Sequence, residues 1–442
     1  METDTEIARV FAAVRREGRV DLEAVERALR ASALGAVAEA LEELLENVGV
    51  GRREEPVLCS CGTGMHSTGV RAKRIQTLLG WIRFRRSAYV CPRCAKTRYP
   101  GDEELDVVGT CRSPGVRRQV ARLGAKETFQ EVAQDLAELA DIRVCRKDAE
   151  RIAEAQGEQM EAWMAQQRRT LRLQEPPPPE TPKSIETLYI EPDGTGIPMV
   201  PHELKGRKGK QPDGTAKTRE AKVGCVFTQT RLDDEGKPMR DPGSTSFVGA
   251  IEPAGPFGWR LYAEAVRRGL FYAQRVIVLG DGAEWVKNIA QTHFPHAQFI
   301  IDFYHACEHV GDLGRALFDR DLKRLDAYRE RWTDHLWNGD VEILIQEACA
   351  LLPKDPKAKK DARMQIGYFQ KNKEHMRYAD YRQQHLFIGS GVVEAACKHL
   401  VGQRLKQSGM EWTVRGANNI LALRSVVLSN RMEEYWEQRA AA

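Results

Sequence analysis

Asp193, Asp281 and Glu394 are the side chains whose type and surroundings best suit the binding of a hard cation such as Mg²⁺. Asp193 closes the run ETLYIEPD and is followed by GTGIP, and Asp281 closes RVIVLGD just before Gly282. Two strand-end carboxylates flanked by glycine, on strands that can lie side by side, offer the oxygens such ions require. A third acid would come from IGSGVVEAACKHLVGQRLKQSGM, where Ser390 can cap a helix that puts Glu394 in its first turn. The spacings are 281 − 193 = 88 and 394 − 281 = 113, so a whole helical segment separates the second acid from the third. Plain readings stand beside this one: Asp next to Gly is ordinary turn chemistry, and the helix dipole favours a first-turn Glu without any metal. The loop KGRKGK (205–210) suits a phosphate or, equally, a solvated hairpin.

Cys59-Ser-Cys61 and Cys91-Pro-Arg-Cys94 form two tight pairs about thirty residues apart. Two such knuckles can gather four thiolates into the tetrahedron zinc prefers, with the segment between them folded as a ribbon. His66 is a substitute ligand on type alone, and four unconnected thiols are the plain alternative. A closed four-ligand zinc site is architectural and would present the basic stretch around it. Residues 51–100 carry eleven Lys or Arg, Arg83, Arg85 and Arg86 among them, against Glu54 and Glu55, a balance of 11 − 2 = +9 in a chain of net charge +4. A polyanion such as DNA fits that stripe, as does water.

Thr128-Phe-Gln-Glu131 reads as a capping box opening the helix TFQEVAQDLAELA. After the short turn DIRV a second helix starts near Cys145, with Arg143, Arg146, Lys147 and Arg151 crowded at its beginning. This is the layout of a helix-turn-helix whose second helix enters the major groove. An ordinary surface helix with an Arg146–Glu150 pair explains the same residues.

These residues need elements to position them, and 442 residues exceed one core, so two to four domains are expected. Helical spacing covers 5–48 (Ile7, Val10, Phe11, Val14, then Ala38, Leu41, Leu44, Leu45), the cysteine-bearing stretch runs to about 110, and a second helical block fills 111–173. QEPPPPETPK then makes a stiff boundary at 174–184. Beyond it, strands are predicted at 186–193, 221–230, 244–252, 275–281 and 297–305, with helices near 258–269 and 283–292, which points to a mixed sheet covered by helices. Residues 306–385 and 392 onward read as helical. No phosphate-loop or dinucleotide motif occurs, which argues against a nucleotide cofactor. No run reaches the ~20 apolar residues of a membrane span and Met1 opens onto acidic ETDTE, so a cytoplasmic protein without disulfides is expected.

YIEPDGTGIPM, REAKVGCVF, VLGDGAEW, IDFYHACEH, MRYADYRQQHLFIGSGVVEAACKHLVGQRLKQSGMEW and NNILALRS together resemble the ISKra-type insertion-sequence transposases, bacterial DDE transposases with a ribonuclease H-like core. The likeness runs from the cysteine pairs to about residue 430. With the helical spacing read above for 1–50, which lies outside the likeness, it implies a multidomain α+β and α/β chain: N-terminal helices (1–50), zinc ribbon (51–110), helix-turn-helix (111–173), then a ribonuclease H-like mixed sheet (185–309 and 386–442) interrupted by a helical insertion (310–385). It also implies that Asp193, Asp281 and Glu394 hold two Mg²⁺ or Mn²⁺ ions. Asp302 and His305 match a C/D-x-x-H signature, here with Asp in first place, and are assigned a supporting role. Cys307 and His309 follow, and His305 and His309, one helical turn apart, also suit simple packing. The activity implied is cleavage at the ends of an insertion sequence in double-stranded DNA and transfer of the freed 3′ hydroxyl into target DNA, by a homodimer or larger assembly. A structure-selective nuclease would use the same residues, whereas a DNA-binding regulator descended from a transposase would use only the zinc ribbon and helix-turn-helix and would be marked by a lost acid; all three acids are present.

Overall fold

The structure, a computed structural model, describes residues 15–16, 19–48, 51–173, 185–209, 211–319 and 321–441. The proline-rich boundary at 174–184, the helical spacing before residue 15 and Lys210 lie outside them. The chain divides into two compact units, Met1–Ala153 and Glu154–Ala442. Among the described residues no helix is long and apolar enough to cross a membrane.

In the first unit α1 (Leu22–Val48) precedes an antiparallel hairpin of β1 (His66–Thr77) and β2 (Gly80–Val90), extended on the β2 side by the short β3 (Thr97–Arg98). Strand alternation sends Ile82 and Phe84 inward, where Ile75, Ala38 of α1 and Val107 close a small core, while Trp81, Arg83 and Arg85 stay exposed. Where the spacing predicts helix from residue 5 onward, Arg15–Arg16 instead pairs antiparallel with Arg19–Val20. After the short α2 (Pro100–Glu104), three helices share one apolar cluster: α3 (Pro114–Gly124), α4 (Phe129–Ala140) and the first turns of α5 (Arg146–Leu173). Val116, Val120, Val132, Leu136, Ile142 and Ala149 form that cluster. The capping box is present: Thr128 Oγ1 accepts from Glu131 N (3.2 Å) and Glu131 Oε2 accepts from Thr128 N (2.8 Å). Asp141, left-handed at φ 55°, ends α4 and turns Ile142 back into the cluster.

The second unit is a mixed α+β fold on a five-stranded sheet. Its strands are β4 (Ile185–Pro198), β5 (Thr218–Gln229), β6 (Ser246–Ala250), β7 (Ala273–Gly280) and β8 (Gln298–Ile301), in the spatial order β6-β5-β4-β7-β8. β4, β5 and β6 are antiparallel neighbours, whereas β7 runs parallel to both β4 and β8. Helices α6 (Ala254–Arg267) and α7 (Glu284–His293) supply the crossovers and bury Phe257, Leu261, Ile289 and Phe294 against Leu188, Ile190, Val226 and Val278. Each such side chain contributes about 1.5–3 kcal/mol by leaving water. On the other face Tyr189 stacks on Phe227 (4.9 Å), with Phe387 at the edge of both rings. Helices α8 (Phe303–Phe318), α9 (Leu322–Trp337), α10 (Val341–Ala350) and α11 (Pro356–Asn372) follow β8, and α12 (Gly391–Ala396), α13 (Val414–Leu428) and α14 (Met432–Ala441) close the chain.

Two strand ends differ from the sequence expectation. β4 does not stop at Asp193 but continues to Pro198, because β5 stays paired with it throughout. Gly194 and Gly196 permit this, since a Cβ at either would lie 2.6–2.7 Å from the side chains of Glu220 and Thr218 across the ladder. The run predicted as strand at 297–305 is strand only to Ile301. Asp302 Oδ1 accepts from His305 N (2.8 Å), which caps α8 and claims Phe303, Tyr304 and His305 for the helix.

Candidate functional site

Asp193, Asp281 and Glu394 all line one cleft of about 220 Å³, together with Asp302, Tyr304, His305, Glu308 and Ser390. Asp281 leaves the tip of β7 beside the middle of β4, and its position depends on two glycines. A Cβ at Gly280 would meet Val286 at 2.8 Å, and Gly282 adopts φ +80° with Ile301 2.7 Å from its missing Cβ. Asp281 Oδ1 accepts from Ala283 N (2.9 Å), closing the turn. Asp193 is half-buried: Oδ1 accepts from Gly194 N (2.6 Å) and Oδ2 from the Cys397 thiol (3.3 Å). Burial raises its pKa, and the carboxylates of Asp281 and Glu220 add to the rise against those two hydrogen bonds. Glu394 is exposed in the first turn of α12. Ser390 holds the N-cap position, yet its side chain makes no capping bond.

The turn that presents Glu394 is anchored from behind. Asp302, buried, accepts from Ser390 N through Oδ2, and Phe303 N donates to Ile388 O (2.8 Å). Glu191, two residues before Asp193 and fully buried, accepts from Val393 N through Oε2 (2.9 Å) and from the Cys225 thiol (3.8 Å). Burial pushes the Glu191 carboxyl up to about 8, with the Asp302 charge adding to it. After α12 the chain widens into a π turn, Cys397–Gly402, and buried Arg424 donates to the carbonyls of His399 and Leu400 inside it.

His305 Nδ1 lies 3.3 Å from Glu308 Oε2, and its ring meets His309 edge-on at 4.9 Å. His309 in turn stacks on Tyr368 (3.6 Å) and bonds Gln365 (2.6 Å). The packing reading of this pair therefore accounts for His309, while His305 faces the cleft. Cys307 is half-buried, and burial raises its thiol to about 11.

In the first unit the Sγ atoms of Cys59, Cys61, Cys91 and Cys94 all lie within 4.8 Å of one another. Cys59 to Cys94 is 3.4 Å and Cys61 to Cys91 is 3.6 Å. A zinc tetrahedron with Zn–S bonds of 2.3 Å requires sulfurs about 3.8 Å apart, so the cluster could hold a structural metal such as zinc. Two knuckle turns build it: Gly62 N donates to Cys59 O and Ala95 N to Cys91 O, each at 2.9 Å. The Thr63 hydroxyl and amide pull Cys61 down to about 6, toward the thiolate that binds metal. His66 is exposed on β1 and is not part of the cluster. Among the described residues these cysteines are the one set of three or more ligating side chains gathered so closely; the three acids, although they share a cleft, are not.

The basic residues divide into two groups. Arg86 and Lys73 both reach buried Asp102, and Arg86 also lies 3.7 Å over the Tyr99 ring. Arg53 and Arg98 pair with Glu104 and Glu103. Arg83 and Arg85 remain exposed on the hairpin, as do Arg143, Arg146, Lys147 and Arg151 at the start of α5, where Lys147 pairs with Glu150 (2.9 Å). Sequence reasoning overlooked Glu191, Cys397, Tyr304 and Glu308. Tyr304 lies inside the recognised D-x-x-H and Glu308 one helical turn after its histidine, so both were open to discovery by helical spacing, but a buried Glu inside a strand leaves no local signal.

Residues 259–439 match an uncharacterised protein family, UPF0236, a stretch that holds Asp281, Asp302, His305 and Glu394 but not Asp193. No curated protein matches the chain. Among solved structures, the Drosophila P element transposase strand transfer complex is similar at 8% identity and a TM-score of 0.24, covering 73% of this chain and 80% of that one.

Proposed function

We propose that this protein is a DDE-type DNA transposase that cuts the ends of an insertion sequence and joins the freed 3′ hydroxyl to target DNA. The observation that carries the reading is that Asp193, Asp281 and Glu394, drawn from three distant parts of the chain, line one cleft beside Asp302 and His305. A sheet of three antiparallel strands extended by two parallel ones agrees with the ribonuclease H-like core that the sequence resemblance implies.

The donor set suits a hard divalent cation: it is all carboxylate, and the Asp193 carboxyl, raised by burial and further by the like charges of Asp281 and Glu220, is one whose charged form a cation would favour. Mg²⁺ or Mn²⁺ held there would supply the positive charge that activates a water or 3′ hydroxyl and stabilises the leaving oxygen. Asp193, Asp281 and Glu394 hold the ions, and Asp193 must release the Cys397 thiol to offer Oδ2. Asp302 fixes the turn before Glu394. Arg83, Arg85, Arg143, Arg146, Lys147 and Arg151 meet DNA phosphates, whereas Arg86 stays with Asp102.

The test is to incubate the purified protein with the DNA flanking its coding sequence and Mg²⁺ or Mn²⁺, then map nicks and joined products. Nicks with joined ends support the transposase. Nicks without joining indicate a nuclease, and binding without any cut indicates a regulator.

A further inference from the structure

Two buried carboxyl groups grip the turn that carries Glu394, and only one of them belongs to the D-x-x-H signature. Asp302, from the end of β8, takes the Ser390 N–H, while Glu191, from the middle of β4, takes the Val393 N–H at 2.9 Å. Between these two points lie only Gly391 and Val392, and Glu394 is the next residue. Glu191 is 0% exposed, and its Oε1 has no hydrogen-bond partner, so it is a costly residue to keep inside a strand. Leu or Met in its place could not accept from Val393 N, which is buried and would then be an orphan donor in the first turn of α12. β4 also carries Asp193 two residues on, on the same face of the sheet by strand alternation.

We propose that Glu191 is a positioning residue that ties the first turn of α12 to β4 and so fixes the distance between Glu394 and Asp193 for a shared divalent cation. The inference rests on the metal-site reading above and adds to it a residue that contacts neither cation nor DNA. Cation binding at a site of carboxylates depends on such supporting bonds, whose loss typically weakens affinity about 10- to 100-fold.

The experiment uses full-length protein with its cysteine site filled by zinc and titrates Mn²⁺, read by the electron paramagnetic resonance of the free ion. Amide hydrogen exchange over 388–396 is followed alongside. Glu191→Ala should weaken Mn²⁺ binding by about 10-fold or more and speed exchange at Val393 and Glu394. Glu191→Gln, which keeps an acceptor for Val393 N, should restore both to near the parent. If Glu191→Ala does not fold, Glu191→Asp, which withdraws the acceptor by one methylene, should show the same two changes in smaller measure. Mn²⁺ affinity and exchange that match the parent in the folded Ala or Asp variant would overturn the proposal, as would a Gln variant as impaired as Ala. Asp281→Ala separates the two levels: if it binds Mn²⁺ like the parent, the metal-site reading itself falls, whereas loss of binding there with unaltered Glu191 variants removes the positioning role alone.

Discussion

Asp281 stands at a strand tip because glycines on either side let it: Gly280 leaves room for Val286 and Gly282 takes a left-handed turn over Ile301. That punctuation is readable in a single sequence as the end of a strand, although ordinary turn chemistry reads the same way and does not by itself mark a metal ligand. Asp193 was legible by type but not by place, because the length of β4 is set by its pairing with β5. Glu191 was not legible at all: charged residues are rarely fully buried, and the sequence does not say that α12 will cover that face. The chemistry of the cleft gives a direct prediction. Asp193→Ala, Asp281→Ala and Glu394→Ala should each lower DNA cleavage by at least about 100-fold, because losing a ligand removes several kcal/mol of charge stabilisation, and each should bind DNA like the parent. A variant that cuts at the parental rate would exclude its residue from the site.

At the scale of elements, the hairpin between the cysteine knuckles, the capped α4 and the alternation of strands with α6 and α7 follow from local pattern. The start of α8 does not, since FIIDFYH has strand composition and the helix opens on Asp302, which takes His305 N, while Phe303 N donates to the distant Ile388 O. Two element-scale tests follow. Cys91→Ser should release the metal and loosen the knuckles, read as loss of zinc from purified protein and faster proteolysis near 59–98; full zinc content in that variant would remove the assignment. The packing of α6 on α7 gives a pH effect. His293 is half-buried, with Trp259 edge-on at 4.9 Å and Tyr262 and Phe294 beside it, and burial lowers its pKa with help from Arg172. A histidine kept neutral in the fold but free to protonate when unfolded contributes stability above about pH 6.5 that is lost as pH falls through its folded-state value. Glu191, with its raised pKa, works in the opposite direction over the same range, so the parent alone does not isolate the effect. His293→Phe does: between pH 7 and pH 5 the parent should lose melting temperature relative to this variant, and a difference that stays constant with pH would show that His293 does not titrate in the fold.

Across the whole molecule, the exposed basic residues named above lie in Met1–Ala153, and the three acids of the cleft in Glu154–Ala442. The raw +9 of residues 51–100 overstates the face available to DNA, because Lys73, Arg53, Arg86 and Arg98 are paired with Asp102, Glu103 and Glu104 of α2. Sequence alone could not sort them, since the acids that take up the charge lie just beyond the stripe and reach it only once the hairpin forms. The distinction has a measurable consequence in the salt dependence of binding. Each phosphate contact contributes a slope of about −0.9 to log K against log salt on duplex DNA. Arg83→Ala and Arg85→Ala should therefore each make the slope shallower by roughly 1 if the arginine touches a phosphate, with little change in melting temperature. Arg86→Ala should do the reverse, leaving the slope unchanged while destabilising the first unit, because Asp102 would keep a buried charge with one partner fewer. Slopes unchanged from the parent in all three variants would mean that the hairpin does not face DNA, and would leave the start of α5 as the surface that does.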